Sequence, residues 1–237
     1  MALTDHDTCA GVGEAAVAAR EAGIELLAGV EISAGLGDLE VHIVGLGVDP
    51  EDTTLSNTLA TVSEARRNRA RNILQLLGRE GIDVTLPDSV PVDAIGRMHI
   101  ARVLFDEGHT NSTQDGFDRY LNPGRPAWVP KATVPVTEAI GAIHAAGGLA
   151  FVAHPGLSRA LRKALKTLLE MPFDGIEAYH VSHGRGRTAE YIALAEDRDL
   201  LVSGGSDCHG LIKGKTEMGN VRMPLRFYEA IRDRLDA

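Results

Sequence analysis

The sequence predicts an α/β fold built from parallel strand and helix units, with a helical segment inserted between its two parts. Three observations predict it. Short apolar runs alternate with helical patterns at both ends of the chain, side chains suited to metal ligation stand where those runs stop, and residues 50–129 carry helical patterns without strand signals. Helices between short apolar strands are the mark of βαβ units, and both barrels and open sheets of this class place functional groups at strand C-termini.

Taken in order, residues 11–22 are alanine-rich and helical, and Gly23 suits the left-handed position that closes a helix. The run 24–31 reads as a buried strand ending in Glu31, and a Gly35-Leu36-Gly37-Asp38 turn leads into a second strand at 39–46. Glu31 and His42 therefore sit on the two arms of a hairpin. Residues 58–80 form a polar, arginine-rich helical pattern, and a second helix is expected over 92–108. The alternation then resumes with helix 136–146, strand 149–153, helix 158–170, strand 175–179, helix 187–197 and strand 200–203. This divides the chain into an α/β body, 1–49 with 130–237, and a helical insertion, 50–129.

A chain of 237 residues with 44% hydrophobic content can bury a full core. Its 24 basic and 33 acidic residues leave a net charge of -9, so stable binding to duplex DNA is not expected, and any nucleotide contact must come from local cations or metals. The two cysteines, Cys9 and Cys208, cannot build a disulfide framework and read as small buried fillers. The start MALTDHDTCAG lacks a basic-then-apolar leader and no apolar run reaches the roughly 20 residues needed to cross a bilayer, so a cytoplasmic location without a membrane role is expected.

Five segments bring His, Asp or Glu to the ends of apolar runs: Thr4-Asp5-His6-Asp7, Gly29-Val30-Glu31, Val41-His42-Ile43, Ala153-His154-Pro155 and Ser206-Asp207-Cys208-His209. Asp207 and His209 are one residue apart, so an extended backbone points both to one side. A carboxylate ending an apolar strand, such as Glu31, needs a cation or several donors, and an arginine would serve as well as a metal. His154 could equally belong to a strand-to-helix turn with Pro155 and Gly156. Together the imidazoles and carboxylates suit Zn, Mn or Fe and point to metal-assisted hydrolysis. Arg97, His99, Lys131 and His183 are the candidate substrate contacts, cations or donors for a phosphate in an otherwise acidic chain, with solvated surface positions as the alternative.

At these residues the chain resembles the PHP (polymerase and histidinol phosphatase) family, through ALTDHDT, GVEIS, HIVGLG, RMHIARVL, PAWVPK, FVAHPG, GIEAYH and GGSDCHG. The resemblance spans nearly the whole chain. It implies a distorted (β/α)7 barrel, up to three divalent metals at the strand ends and hydrolysis of phosphate esters by a metal-bridging hydroxide. The implied ligands are His6, Glu31, His42, His154, Asp207 and His209, with the helical insertion covering the site and Arg97 and His99 facing the substrate. The family's opening strand, with a His-x-His pair and a following aspartate, has no counterpart after Met1, so the barrel is expected to be N-terminally truncated. The implied substrate is a nucleotide of 3',5'-bisphosphate type or an oligonucleotide end. The alternatives are histidinol phosphate and a non-catalytic metal-binding protein.

Overall fold

The computed structural model describes residues 1–86, 95–131, 133–208 and 217–237. These divide into two compact units, Met1–Leu59 with Val134–Ala237, and Ala60–Thr133.

The first unit is built on a seven-stranded mixed sheet in the order β1 (Ala2–Leu3), β2 (Leu27–Leu36), β3 (Leu39–Leu46), β5 (Leu149–Val152), β6 (Gly175–His180) and β7 (Leu201–Gly205), with β4 (Val134–Pro135) paired to β2. The expected hairpin is present: β2 and β3 are antiparallel. Parallel pairing joins β1–β2, β2–β4 and β5–β6–β7, as expected of βαβ units, while β3 also runs antiparallel to β5. A tight Gly37 turn (φ 58) reverses the chain after β2, and the returning strand then stays beside its sheet neighbour β5.

Burial on both faces explains why these strands read as continuous apolar runs. Val30, Ile32 and Ala34 of β2 are fully buried on one face, while Glu31 and Ser33 are buried at 6% and 1% exposure on the other. All four residues of β5 are buried. Helix α1 (Val12–Glu21) ends at Ala22, and Gly23 takes the left-handed conformation at φ 66 that the sequence suggested. Helix α5 (Val136–Ala145) turns Ala139, Ile140 and Ile143 into the core, and α6 (Arg159–Leu168) buries Leu161, Leu165 and Leu168 at helical spacing. Helix α7 (Arg185–Glu196) follows β6, beginning two residues before its expected start.

Helix α8 (Leu225–Leu235) lies beyond the alternation read from the sequence. Its Ile231 and Leu235, one helical turn apart, join Leu46, Leu149, Phe151 and Leu201 in one cluster. Leu149 and Leu201 open β5 and β7, so α8 seals the sheet end opposite the strand C-termini.

Helix α2 (Thr53–Arg79) starts in the first unit and runs into the second. The second unit adds α3 (Arg97–Asp106), α4 (Thr113–Gly116) and a π-helical turn at Phe117–Leu121. Ile73, Leu77, Ile100, Leu104 and Leu121 form its core. The segment 92–94 of the expected second helix lies outside the described residues. Among the described residues no helix is long and apolar enough to cross a membrane.

Candidate metal centre

The hairpin supplies the first two ligand candidates. Glu31 pairs with Val44 and Ser33 with His42, so Glu31 and His42 are diagonal neighbours on one face of the sheet. Nδ1 of His42 lies 2.8 Å from Oε1 of Glu31, and its Nε2 lies 2.8 Å from Oε1 of Glu40. His154 enters from the end of β5 and brings Nε2 to 3.0 Å from the same Glu31 oxygen. His6, just past β1, places Nδ1 3.9 Å away. One carboxylate oxygen thus faces three imidazole nitrogens.

Backbone pairing aims these groups. Beyond β1 the parallel ladder continues through Glu31 N–H to Asp5 O (3.0 Å) and Asp7 N–H to Glu31 O (2.9 Å), which holds His6 beside Glu31. Asp7 turns the chain at φ 58, and its Oδ1 accepts the Ser33 N–H at 2.6 Å. His154 is also left-handed, at φ 27, a conformation that a non-glycine residue keeps only when its surroundings enforce it. Two hydrogen bonds do so: Ala153 N–H to His42 O at 3.1 Å, and His154 N–H to Oε2 of Glu177 at 2.7 Å.

Glu177 is a site residue that the sequence reading missed. It stands at the middle of the apolar run GIEAYH, the same signal that exposed Glu31. His180 stands at the end of the same strand. Its ring lies 5.4 Å from that of His154, its Nδ1 accepts the Ser182 N–H at 3.1 Å, and its Nε2 is 3.8 Å from Oδ2 of Asp207.

Electrostatics follow from this crowding. Burial by itself would raise the Glu31 carboxyl, but His154 and then His42 overcome it and hold Glu31 well below the usual carboxylate range. Burial disfavours charge on His42, yet contact with Glu31 and Glu40 pushes it up to about 9. His154 is also raised, Glu31 outweighing its burial. Burial pushes the Glu177 carboxyl up, with His180 opposing.

These residues fit a divalent cation. The donor atoms of His6, Glu31 and His42 all lie within 4.8 Å of one another, the compass of one ion. Among the described residues, the buried Nδ1 atoms of His42 and His154 and Nε2 of His180 make no hydrogen bond of acceptable geometry. Buried polar atoms left in that state are unfavourable, and imidazole nitrogens gathered around a carboxylate are what a metal takes up once they are deprotonated. A cavity of about 470 Å³ opens beside the cluster, lined by His6, Glu31, His154, Glu177 and Asp207.

Of the six expected ligands, His6, Glu31, His42 and His154 meet at one point. Asp207, at φ 48 just beyond β7, lines the same cavity, and His209 lies outside the described residues. Arg97, His99 and Lys131 belong to the second unit. There Arg97 reaches the Leu121 carbonyl and the Phe117 ring, and Nδ1 of His99 accepts the Gly96 N–H. His183 is buried, its Nε2 accepts the Gly156 N–H at 3.0 Å and its Nδ1 meets Ala178 O at 2.9 Å, so both ring nitrogens face backbone groups. Cys9 and Cys208 are both half-buried thiols.

No protein-family profile matches the chain. It is 36% identical to a 3',5'-nucleoside bisphosphate phosphatase of Chromobacterium violaceum, over 93% of this chain and 80% of that protein. It is 34% identical to the 5'-3' exoribonuclease Rnm of Escherichia coli, over 88% of this chain and 74% of that protein. Among solved structures, one described as a metal-dependent phosphoesterase from Bifidobacterium adolescentis superposes with a TM-score of 0.80 at 31% identity, covering 98% of this chain and 85% of that one.

Proposed function

The chain belongs to the phosphoesterase family of the bisphosphate phosphatase and the 5'-3' exoribonucleases, and on that premise we propose that it is a metal-dependent hydrolase of nucleotide phosphate esters, acting on a nucleoside 3',5'-bisphosphate or an oligonucleotide end. We read this family as the PHP family, with its metals drawn from Mn, Zn and Fe. The observation that carries the reading is the convergence of His6, His42 and His154 on one oxygen of Glu31. No ordinary structural salt bridge needs three imidazoles.

His6, Glu31, His42 and His154 would hold the first cation, with Asp207 serving a neighbouring one. When bound, divalent cations supply Lewis acidity toward phosphoryl oxygens and lower the pKa of water so that a nucleophile exists at neutral pH. The chain's own contribution is placement. Glu177 fixes the backbone of His154, the β1–β2 ladder fixes His6, and Glu40 orients His42 through its second nitrogen, as carboxylates do for ligating imidazoles.

The test is phosphate release from adenosine 3',5'-bisphosphate, a 5'-phosphorylated oligonucleotide and histidinol phosphate, with Mn, Zn or Fe added to metal-stripped protein. Turnover of either nucleotide substrate, lost in Glu31→Gln, supports the proposal. Turnover of histidinol phosphate alone would reassign the substrate, and metal binding without turnover of any would make this a binding protein.

A further inference from the structure

Strand β6 breaks its alternation beside the ligand cluster. Residues three apart on a regular strand face opposite sides of the sheet, yet Glu177 and His180 both reach His154. Oε2 of Glu177 accepts the His154 N–H at 2.7 Å, and the His180 ring lies 5.4 Å from the His154 ring. A β-bulge reconciles them. Glu177 pairs with Ser203 and Tyr179 with Gly204, so one residue of β6 has no opposite number on β7. Such an insertion re-aims the side chains that follow it, and bulges of this kind concentrate beside functional sites. Tyr179 turns to the Phe227 ring of α8, at 5.8 Å, and His180 turns in. The close approach requires glycine at 204, where a Cβ would come within 2.5 Å of the Tyr179 Cβ.

The imidazole so aimed is 5% exposed, and its two nitrogens have different surroundings. Nδ1 accepts the Ser182 N–H at 3.1 Å. An amide can only donate, so the Nδ1 lone pair faces it, and the Ser182 hydroxyl at 2.7 Å donates to the same atom. The ring proton therefore sits on Nε2, which is buried and makes no hydrogen bond among the described residues. Ligating a metal through Nε2 would forfeit both Ser182 contacts, so this nitrogen is a donor that lacks an acceptor.

The carboxylate it faces is that of Asp207. Oδ2 of Asp207 lies 3.8 Å from Nε2, two residues past the Gly205 that pairs with His180. Asp207 lines the cavity beside the ligand cluster and His180 does not, so the carboxylate, rather than the imidazole, meets what enters the cavity.

We propose that His180 is the positioning residue for Asp207. Its Nε2–H closes the remaining distance to Oδ2 and holds the carboxylate in one orientation toward a cation, while Ser182 fixes the tautomer from the far side of the ring. Carboxylates that ligate metals are themselves hydrogen-bonded in this way. The proposal rests on the assignment of Asp207 to a cation neighbouring the His6, Glu31, His42 and His154 site, and adds the residue that makes that ligand effective.

The experiment titrates Mn into metal-stripped protein and reads the free ion by electron paramagnetic resonance, with folding checked by circular dichroism. The proteins are the wild type, His180→Phe, His180→Asn, His180→Gln, Asp207→Ala and the double variant His180→Phe with Asp207→Ala. Phenylalanine keeps a ring without a donor, asparagine is polar but too short to reach Asp207, and glutamine restores a donor near the position of Nε2. The wild type is expected to bind two Mn ions. The weaker affinity should fall about 10–100-fold in His180→Phe and His180→Asn and recover in His180→Gln, while the tighter one changes little. In the Asp207→Ala background His180→Phe should cost nothing further, because the imidazole acts through that carboxylate. The proposal is overturned by a second affinity unchanged in both His180→Phe and His180→Asn, by a loss that His180→Gln does not recover or that persists without Asp207, or by a wild type that takes up a single ion. Phosphate release plays no part in these outcomes, so an absence of turnover would count against the phosphoesterase reading alone.

Discussion

Oε1 of Glu31 and Nε2 of His154 meet at 3.0 Å although 123 positions separate them in the chain. The contact joins the hairpin to the end of β5 and concentrates the site on one oxygen. Removing His154 should therefore disperse the cluster rather than trim it. For His154→Ala the expected outcome is loss of tight metal binding, with Kd raised more than about 100-fold. Elemental analysis of protein loaded with Zn or Mn and then desalted checks this, and undiminished metal content would show that His154 is not a ligand.

Glu177 acts at one remove. Its carboxylate holds the backbone N–H of His154 at 2.7 Å and keeps that residue in its left-handed conformation. Glu177→Ala should weaken metal affinity by about 10–100-fold while all four converging ligands remain. Competition against a chelating dye measures it, and wild-type affinity would mean that the His154 turn holds its shape unaided.

Metal uptake should release protons. Contact with Glu31 and Glu40 pushes His42 up to about 9, so at about pH 7.5 its imidazole is protonated in metal-free protein, whereas a ligand must be neutral. Calorimetry in buffers of different ionisation enthalpy should report at least one proton lost per metal bound, with affinity rising toward pH 9. Equal apparent enthalpies in all buffers would contradict the charged state assigned to His42.

The same two groups set the stability of the metal-free protein. His42 is raised from an ordinary 6.5 to about 9, so its contribution is complete below pH 6.5 and is lost as pH climbs toward 9. Glu31 is lowered from 4.5, so its contribution is present above that value and is lost as pH falls further. Urea midpoints should be highest between these limits and lower at about pH 9.5, and His42→Gln should flatten the alkaline limb. Stability that increases from pH 6.5 to 9 would reverse the sign.

Asp7 serves the frame of the site. Its Oδ1 accepts the buried Ser33 N–H at 2.6 Å while its backbone sits at φ 58. Asp7→Ala leaves that amide unsatisfied and removes a residue tolerant of the left-handed region, and should destabilise by about 1–3 kcal/mol. Asp7→Asn keeps both features and should lose less. Denaturant titration ranks them, and equal losses would point to charge rather than acceptor geometry.

The elements that carry the ligands were largely legible in the sequence, because periodicity and turn chemistry are local. The Gly37 turn and the apolar runs around it placed Glu31 and His42 on facing strands, and Gly23 marked the end of α1. Glu177 carried the same signal as Glu31, a carboxylate within an apolar strand, but its partner there is the backbone of His154, which no spacing along the chain reveals. His183 shows what residue type leaves open: its burial and its two backbone partners, Gly156 and Ala178, are set by the packing of distant segments.

By itself the sequence determined the alternating elements, the hairpin and the set of imidazoles and carboxylates at strand ends, since each depends on spacing over a few residues. Only the tertiary structure decided which of those groups share an atom, because β3 pairs antiparallel with β5 across the inserted second unit and no local pattern encodes that neighbour. It likewise decided that Glu177 holds the backbone of His154, since the two meet only when β5 and β6 align in parallel.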